Sequence, residues 1–231
     1  MLDIKTNYHD VLDRIAGACQ RCHRNPSEIT LVAVTKGVSI ELIESAFKAG
    51  ITNFGENRVQ EAQIKIPQLT EIQGIEWHLV GHLQTNKAKH AAELFDMIQS
   101  LDSIKLAAKL NEVSIEIGKV LSVLLQVDLA GEETKYGVDP GEVREIIAAM
   151  PGFKGLRLNG LMTIPPFMED PEKVRPYFAR LRELGRNLES EQPGCLGLRH
   201  LSMGMSHDFE QAIQEGATMI RVGTAIFGSR Q

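Results

Sequence analysis

The chain alternates short β-branched runs with amphipathic helical stretches eight times, and few folds accept that pattern. The runs are ITLVAVTK (29–36), ITNFGEN (51–57), EWHLVGH (76–82) and DMIQSL (96–101). They continue with VLLQVDLA (123–130), LRLNGLMTI (156–164), LRHLSMGM (198–205) and TMIRVGTAIFG (218–228). Most lead into a stretch of helical periodicity, such as Ile40–Ala49, Ile104–Ile115 or Pro171–Ser190. Several runs are nearly continuous in apolar residues, as a parallel sheet covered on both faces requires. Eight such units in 231 residues fit a (β/α)8 TIM barrel, which typically takes ~250 residues. A doubly wound sheet is the alternative, but no G-x-G-x-x-G follows the first run and no P-loop string occurs. No low-complexity linker divides the chain. The expectation is one barrel domain over 1–231, with an N-terminal helix in 1–25 and the barrel in 29–228.

Charge narrows the partners. The 25 Lys and Arg against 30 Asp and Glu leave a net charge of −5, with no long basic cluster, which argues against nucleic-acid binding. No apolar run approaches the ~20 residues that span a bilayer. The start, MLDIKTNYHD, lacks the basic and then apolar regions of a signal peptide. A cytoplasmic protein is expected, with its three cysteines as free thiols. Cys19-Gln20-Arg21-Cys22-His23 matches the C-x-x-C-H spacing of covalent haem attachment, and it offers three zinc ligands where structural sites usually have four. Leu12, Ile15, Ala16 and Cys19 instead follow helical spacing, so the ordinary reading is an amphipathic helix with thiols near its end. Cys195 lies in a turn-like Pro-Gly-Cys.

In a TIM barrel, functional residues gather at the C-terminal ends of the strands. The first run ends Val34-Thr35-Lys36, and alternation places Lys36 on the face of Val32 and Val34. Taken alone, such a lysine ends a strand and turns to solvent. If that face points inward, the amine is partly desolvated, its pKa falls, and it suits Schiff-base formation with an aldehyde. The seventh run ends Ser202-Met203-Gly204-Met205-Ser206, and the eighth carries Arg221-Val222-Gly223-Thr224. Loops after strands seven and eight are the recurrent phosphate site of this barrel, and glycine lets N–H groups approach an anion. An aldehyde-reactive amine opposite a phosphate cradle suits pyridoxal phosphate (PLP). Arg221, which shares the face of Gly223, either pairs with a buried carboxylate or donates to the pyridine nitrogen. In the second case its permanent charge weakens the ring as an electron sink.

The strings VAVTK, FGENRVQE, WHLVGHLQTNK, GLMTIPP, LSMGMSHDFEQAI and IRVGTAIFG resemble the YggS/PROSC family of PLP-binding proteins, also called PLP homeostasis proteins. The resemblance runs from Ile29 to Gly228. It implies a barrel like that of alanine racemase and bacterial-type ornithine decarboxylase, with PLP held on Lys36 as an internal aldimine. It also implies Ser202, Gly204, Gly223 and Thr224 around the phosphate, Arg221 at the pyridine nitrogen, and Asn57 and Met162 in the pocket.

Two functional classes fit such a barrel: a PLP carrier that stores the cofactor or delivers it to apo PLP-dependent enzymes, and a racemase- or decarboxylase-like enzyme. The related enzymes carry a further C-terminal β domain, and the eighth run ends three residues before the end of this sequence. A racemase also needs a base on each face of the substrate Cα. Of Tyr8, Tyr136 and Tyr177, Tyr136 alone follows a strand near the pocket. The expectation is therefore a carrier without catalytic turnover, acting as a monomer. His78 and His82 share a strand face without a third ligand nearby and are expected to bond neighbouring backbone. Lys87, Lys89 and His90 are expected to form a solvated basic cluster on the next helix.

Overall fold

A parallel strand cannot pair with its successor through a tight turn, so each strand here returns by a helical crossover. The computed structural model describes residues 3–131, 136–191 and 199–228. Within them the strands are β1 (Thr30–Val34), β2 (Asn53–Glu56), β3 (Glu76–Leu79), β4 (Met97–Leu101), β5 (Leu121–Gln126), β6 (Leu156–Met162), β7 (His200–Met205) and β8 (Met219–Val222). They close into a parallel barrel in chain order, with β8 pairing back onto β1. The helices are α1 (Ile4–Arg21), α2 (Ile40–Lys48), α3 (Val59–Lys65), α4 (Ala88–Leu94), α5 (Ile104–Glu116), α6 (Val143–Ala149), α7 (Arg175–Glu191), α8 (Phe209–Gln214) and α9 (Thr224–Phe227). None of the described helices is long and apolar enough to cross a membrane.

Alternation along the strands makes two apolar layers. Val32, Val80, Met97, Leu124, Met162 and Met219 meet inside the barrel, with Val34 and Ile164 against them. Ala33, Phe54, Leu79, Ile98, Leu125, Leu161 and Ile220 point outward into the shell beneath the helices. Both faces of each strand are therefore covered, which explains the unbroken apolar runs.

The added helix α1 is capped by Asp3, whose side chain accepts the Thr6 N–H at 3.1 Å. It buries Val11, Ile15, Ala18 and Cys19. Arg14 and Arg21 both reach Glu210 of α8, at 2.8 and 2.7 Å. Cys19 and Cys22 are free thiols, as expected. The described residues hold no group of three or more His, Cys, Asp or Glu side chains suited to a metal. Cys195 lies outside the described residues.

Several boundaries differ from the sequence expectation. The eighth run is strand only to Val222; after Gly223 the chain turns into α9, so Thr224 opens a helix. Past the barrel rim no neighbouring strand takes the backbone groups, and the Gly223 carbonyl accepts from Ile226 and Phe227 instead. The fifth strand starts two residues earlier than expected, at Leu121, and ends at Gln126. The seventh contains an extra residue: Ser202 pairs with Met219, but Met205 pairs with Arg221. Gly204, at φ +90°, sits at this bulge, and a Cβ there would lie 2.6 Å from Ala212 of α8.

Gly160 on β6 lies flat against β7, where a Cβ would fall on the His200 carbonyl oxygen. Because backbone cannot yield as a side-chain tip does, Gly160→Ala is expected to cost about 3 kcal/mol. Urea unfolding followed by far-UV circular dichroism measures it.

Candidate functional site

The C-terminal ends of the strands bring a primary amine, a buried guanidinium and a donor-rich turn to one mouth. In β1 and β8, Val32 stands opposite Arg221 and Ala33 opposite Val222. Lys36 and the Gly223–Thr224 turn therefore leave the same end of two adjacent strands. Lys36 is exposed, so the expected desolvation of its amine is not found. The strand stops two residues earlier, at Val34, and carries Lys36 out over the rim.

Behind Lys36 lies a buried charged cluster that the sequence reading did not single out. The Lys65 ammonium donates to the Thr35 carbonyl at 2.6 Å, to Glu56 Oε1 at 2.8 Å and to Glu61 Oε1 at 2.6 Å. The Thr35 hydroxyl donates to the same Glu56 oxygen at 2.7 Å. Burial pushes the Glu56 carboxyl up, against the pull of its bonds from Lys65 and Thr35. A buried charge needs partners, and this set fixes the backbone that carries Lys36. The signal was a glutamate directly after Phe54 and Gly55 in a barrel strand.

Arg221 is buried inside the barrel. Its Nη1 donates to Ser202 Oγ at 2.5 Å and its Nη2 to the Thr163 carbonyl at 2.8 Å. Burial lowers its pKa to about 10, while the charge of buried Asp208 works the other way. Asp208 is itself pushed up by burial, and its Oδ1 accepts the Met205 N–H at 2.6 Å. Asp208 thus acts on Arg221 through its charge, and the bonds to Ser202 and Thr163 leave the guanidinium donors to spare. Met162 is fully buried in the interior cluster.

The turn after β8 is arranged differently from expectation. Ser202 points into the barrel, between Arg221 and Gln99, with its hydroxyl 2.7 Å from Gln99 Oε1. Ser206 instead meets the turn, accepting from the N–H groups of Gly223 at 3.2 Å and Ala225 at 3.4 Å. Thr224 is exposed beside it. The bulge at Gly204 explains the exchange, because one extra residue changes which side chains share a face. Gly204 serves the packing of α8.

Across the mouth, a cleft of about 680 Å³ is lined by Asn57, Arg58, His82, Lys87 and Tyr136 among others. Asn57 Oδ1 is a buried acceptor without a partner. His82 Nδ1 lies 3.1 Å from Asp102 Oδ2, and its ring stacks on Tyr136 at 3.6 Å. Gln126 steadies Tyr136 by donating to its carbonyl at 2.7 Å. The two histidines thus bond side chains, not backbone: His78 Nε2 is 3.0 Å from Asn53 Oδ1 and its Nδ1 is 3.1 Å from Gln99 Nε2. Lys89 and His90 are exposed beside Glu116 and Glu93, as a surface cluster should be. Lys87 is half-buried at the cleft. A groove of similar size, about 610 Å³, lies around Val120, Phe153 and Arg199, away from these groups.

Lys36 beyond the end of β1, the Gly223–Thr224 turn beyond β8 and buried Arg221 thus stand at one mouth of a parallel (β/α)8 barrel. The family described as alanine racemase, N-terminal domain, matches residues 12–231. A pyridoxal phosphate homeostasis protein of Aquifex aeolicus is 44% identical over 221 residues, covering 96% of this chain and 96% of the relative. Another, from Escherichia coli K12, is 41% identical over 232 residues and covers 100% of this chain and 98% of the relative. PipY of Synechococcus elongatus PCC7942, solved with PLP bound, superposes with a TM-score of 0.85 at 38% identity, over 94% of this chain and 100% of PipY. Alanine racemase of Clostridium difficile 630 shares the fold, at 17% identity and a TM-score of 0.72, over 96% of this chain but 57% of the racemase. The chain belongs to the alanine racemase N-terminal domain family, among its pyridoxal phosphate homeostasis proteins.

Burial and the charge of His200 lower the His78 pKa to about 4, below the ordinary 6.5. The unfolded chain therefore binds a proton between these values that the folded chain refuses. His78 favours folding above pH 6.5, and that contribution fades as pH falls toward 4, by at most about 1.4 kcal/mol per pH unit. Glu56 and Asp208, pushed up by burial, titrate in the opposite sense, so the difference from His78→Gln isolates the effect. Urea unfolding from pH 7 to 4 should show a shallower loss in that variant.

Proposed function

We propose that this chain binds PLP at the barrel mouth, carries it on the Lys36 amine, and serves PLP homeostasis by storing the cofactor and delivering it to apo-enzymes. The observation that carries this reading is the placement of the Lys36 amine and the Ser206–Gly223 turn on neighbouring strands, with Arg221 beneath. When bound, PLP supplies an aldehyde that condenses reversibly with an amine, and a phosphate that anchors it.

The residues present fit that group. Lys36 is an accessible nucleophile on a rigid strand end. Thr224 and the Ser206 hydroxyl offer donors to a phosphate, and the Gly223 N–H joins them by exchanging Ser206 Oγ for the anion. Ser202 and Gly204 act behind them, the first supporting Arg221 and the second seating α8. Met162 floors the ring site, and Asn57 Oδ1 supplies an acceptor at the mouth. Arg221 would be the charged donor toward the pyridine nitrogen, where its permanent charge would disfavour ring protonation and so leave the ring a weak electron sink. That tuning suits carriage over carbanion chemistry. Reversible exchange at one amine is sufficient for a carrier, in the cytoplasm and as a monomer. The racemase- or decarboxylase-like alternative would draw on Tyr136, which shares the mouth but is 56% exposed and stacked on His82.

Borohydride reduction of the PLP-loaded protein should trap the cofactor on Lys36 by peptide mass mapping, and Lys36→Ala should lose the yellow absorption. An adduct on another lysine refutes the assignment. Arg221→Ala should shift the absorption band or its pH dependence while PLP still binds. Holo-protein in deuterated water should leave the Cα hydrogen of L- and D-amino acids unexchanged; exchange at enzyme-like rates revives the racemase reading. Holo-protein should also restore an apo PLP enzyme beyond what the leaked free PLP achieves.

A further inference from the structure

A line of polar side chains runs through the barrel from its floor to Arg221, and the guanidinium at one end sets the direction of the first link. A guanidinium donates hydrogen bonds and cannot accept them. Arg221 Nη1 is 2.5 Å from Ser202 Oγ, so that oxygen accepts and the hydroxyl proton must point elsewhere. Gln99 Oε1, at 2.7 Å, receives it. The Gln99 amide nitrogen then faces His78 Nδ1 at 3.1 Å, which must be the bare ring nitrogen. Its second hydrogen meets Met219 Sδ at 2.9 Å. The His78 proton accordingly resides on Nε2 and is donated to Asn53 Oδ1 at 3.0 Å.

Asn53 begins β2, at the opposite end of the barrel from Lys36. His78, Gln99, Ser202 and Arg221 are all buried. The bond from Nη2 to the Thr163 carbonyl holds the guanidinium at one point and leaves its plane free to swing. Ser202 provides the second point, and Gln99 Oε1, by taking its hydroxyl proton, keeps a lone pair of Oγ turned toward Nη1.

We propose that His78 and Gln99 are positioning residues: they set the direction of the Ser202 hydroxyl and so pin the guanidinium of Arg221 at the barrel mouth. What Arg221 meets there rests on the PLP reading above; the pinning itself does not. A doubly protonated His78 would have no acceptor for the Gln99 amide, so that amide would have to reverse, turning its nitrogen toward Ser202. The chain thus requires a neutral imidazole, consistent with the low pKa that burial imposes.

The test begins in the ligand-free protein. Nitrogen-15 NMR should find His78 as the neutral Nε2–H tautomer at pH 7, and the Arg221 Nη–H signals resolved, as expected of a guanidinium that cannot rotate. Gln99→Leu should collapse those Arg221 signals. Gln99→Glu, which still accepts from Ser202 but now presents an acceptor to His78, should keep Arg221 pinned and move the His78 proton to Nδ1. With PLP added, Gln99→Leu should shift the absorption band, and Gln99→Glu should restore it toward the wild-type position. A His78 proton on Nδ1 in the wild type, or Arg221 signals unchanged in Gln99→Leu, overturns the proposal. If Gln99→Leu does not fold, the wild-type tautomer and the Gln99→Glu response decide it. Wild-type protein that shows the expected NMR pattern but takes up no PLP refutes the PLP reading and leaves the pinning intact.

Discussion

Closure of the eight parallel strands governs everything else in this molecule. A closed sheet has no edge, and the space inside is filled by side chains from alternate positions. Any polar group placed there must find its partner among the others. The apolar layer of Val32, Val80, Met97, Leu124, Met162 and Met219 fills most of that space. The polar groups that remain are held to one another, and the mouth inherits their order. Arg221 is charged, buried and oriented because the barrel around it leaves few other arrangements.

The same constraint separates the two sides of the mouth. On the β1–β2 side, Lys65, Glu56 and Thr35 form a buried ionic knot beneath an exposed lysine. On the β7–β8 side, Ser206 gathers the amides of the Gly223 turn while Asp208 holds the Met205 amide. Each side is braced from behind by buried polar groups, and each presents chemistry forward to solvent. An amine that must be reached by a ligand and released again is better served by exposure over a rigid base than by enclosure.

Much of this was readable from the residues. Eight alternations of strand and helix specify the barrel, and the parity of Val32, Val34 and Lys36 places the lysine at its mouth. The illegible parts have identifiable causes. VGTAIFG is equally apolar as a strand or a short helix, and the barrel rim decides between them. Counting by twos from Ser202 puts Gly204 and Ser206 on its face, but the bulge at Gly204 breaks the count, so alternation alone does not place Ser206 beside the Gly223 turn. Glu56 and Lys65 are nine residues apart, and their pairing depends on how α3 folds back over β2. Gln99 and His78 read as ordinary strand residues because their partners come from other strands.

The amide of Asn7, in α1, donates to the carbonyl of Ile226, in α9, at 2.8 Å across 219 residues of chain. The helix that precedes the barrel therefore clasps the short helix that follows β8. The Gly223–Thr224 turn therefore leads into a helix that is tied to α1 as well as to the barrel. The consequence is mechanical: a load that lifts α1 from the barrel pulls on the short helix whose first residue is Thr224.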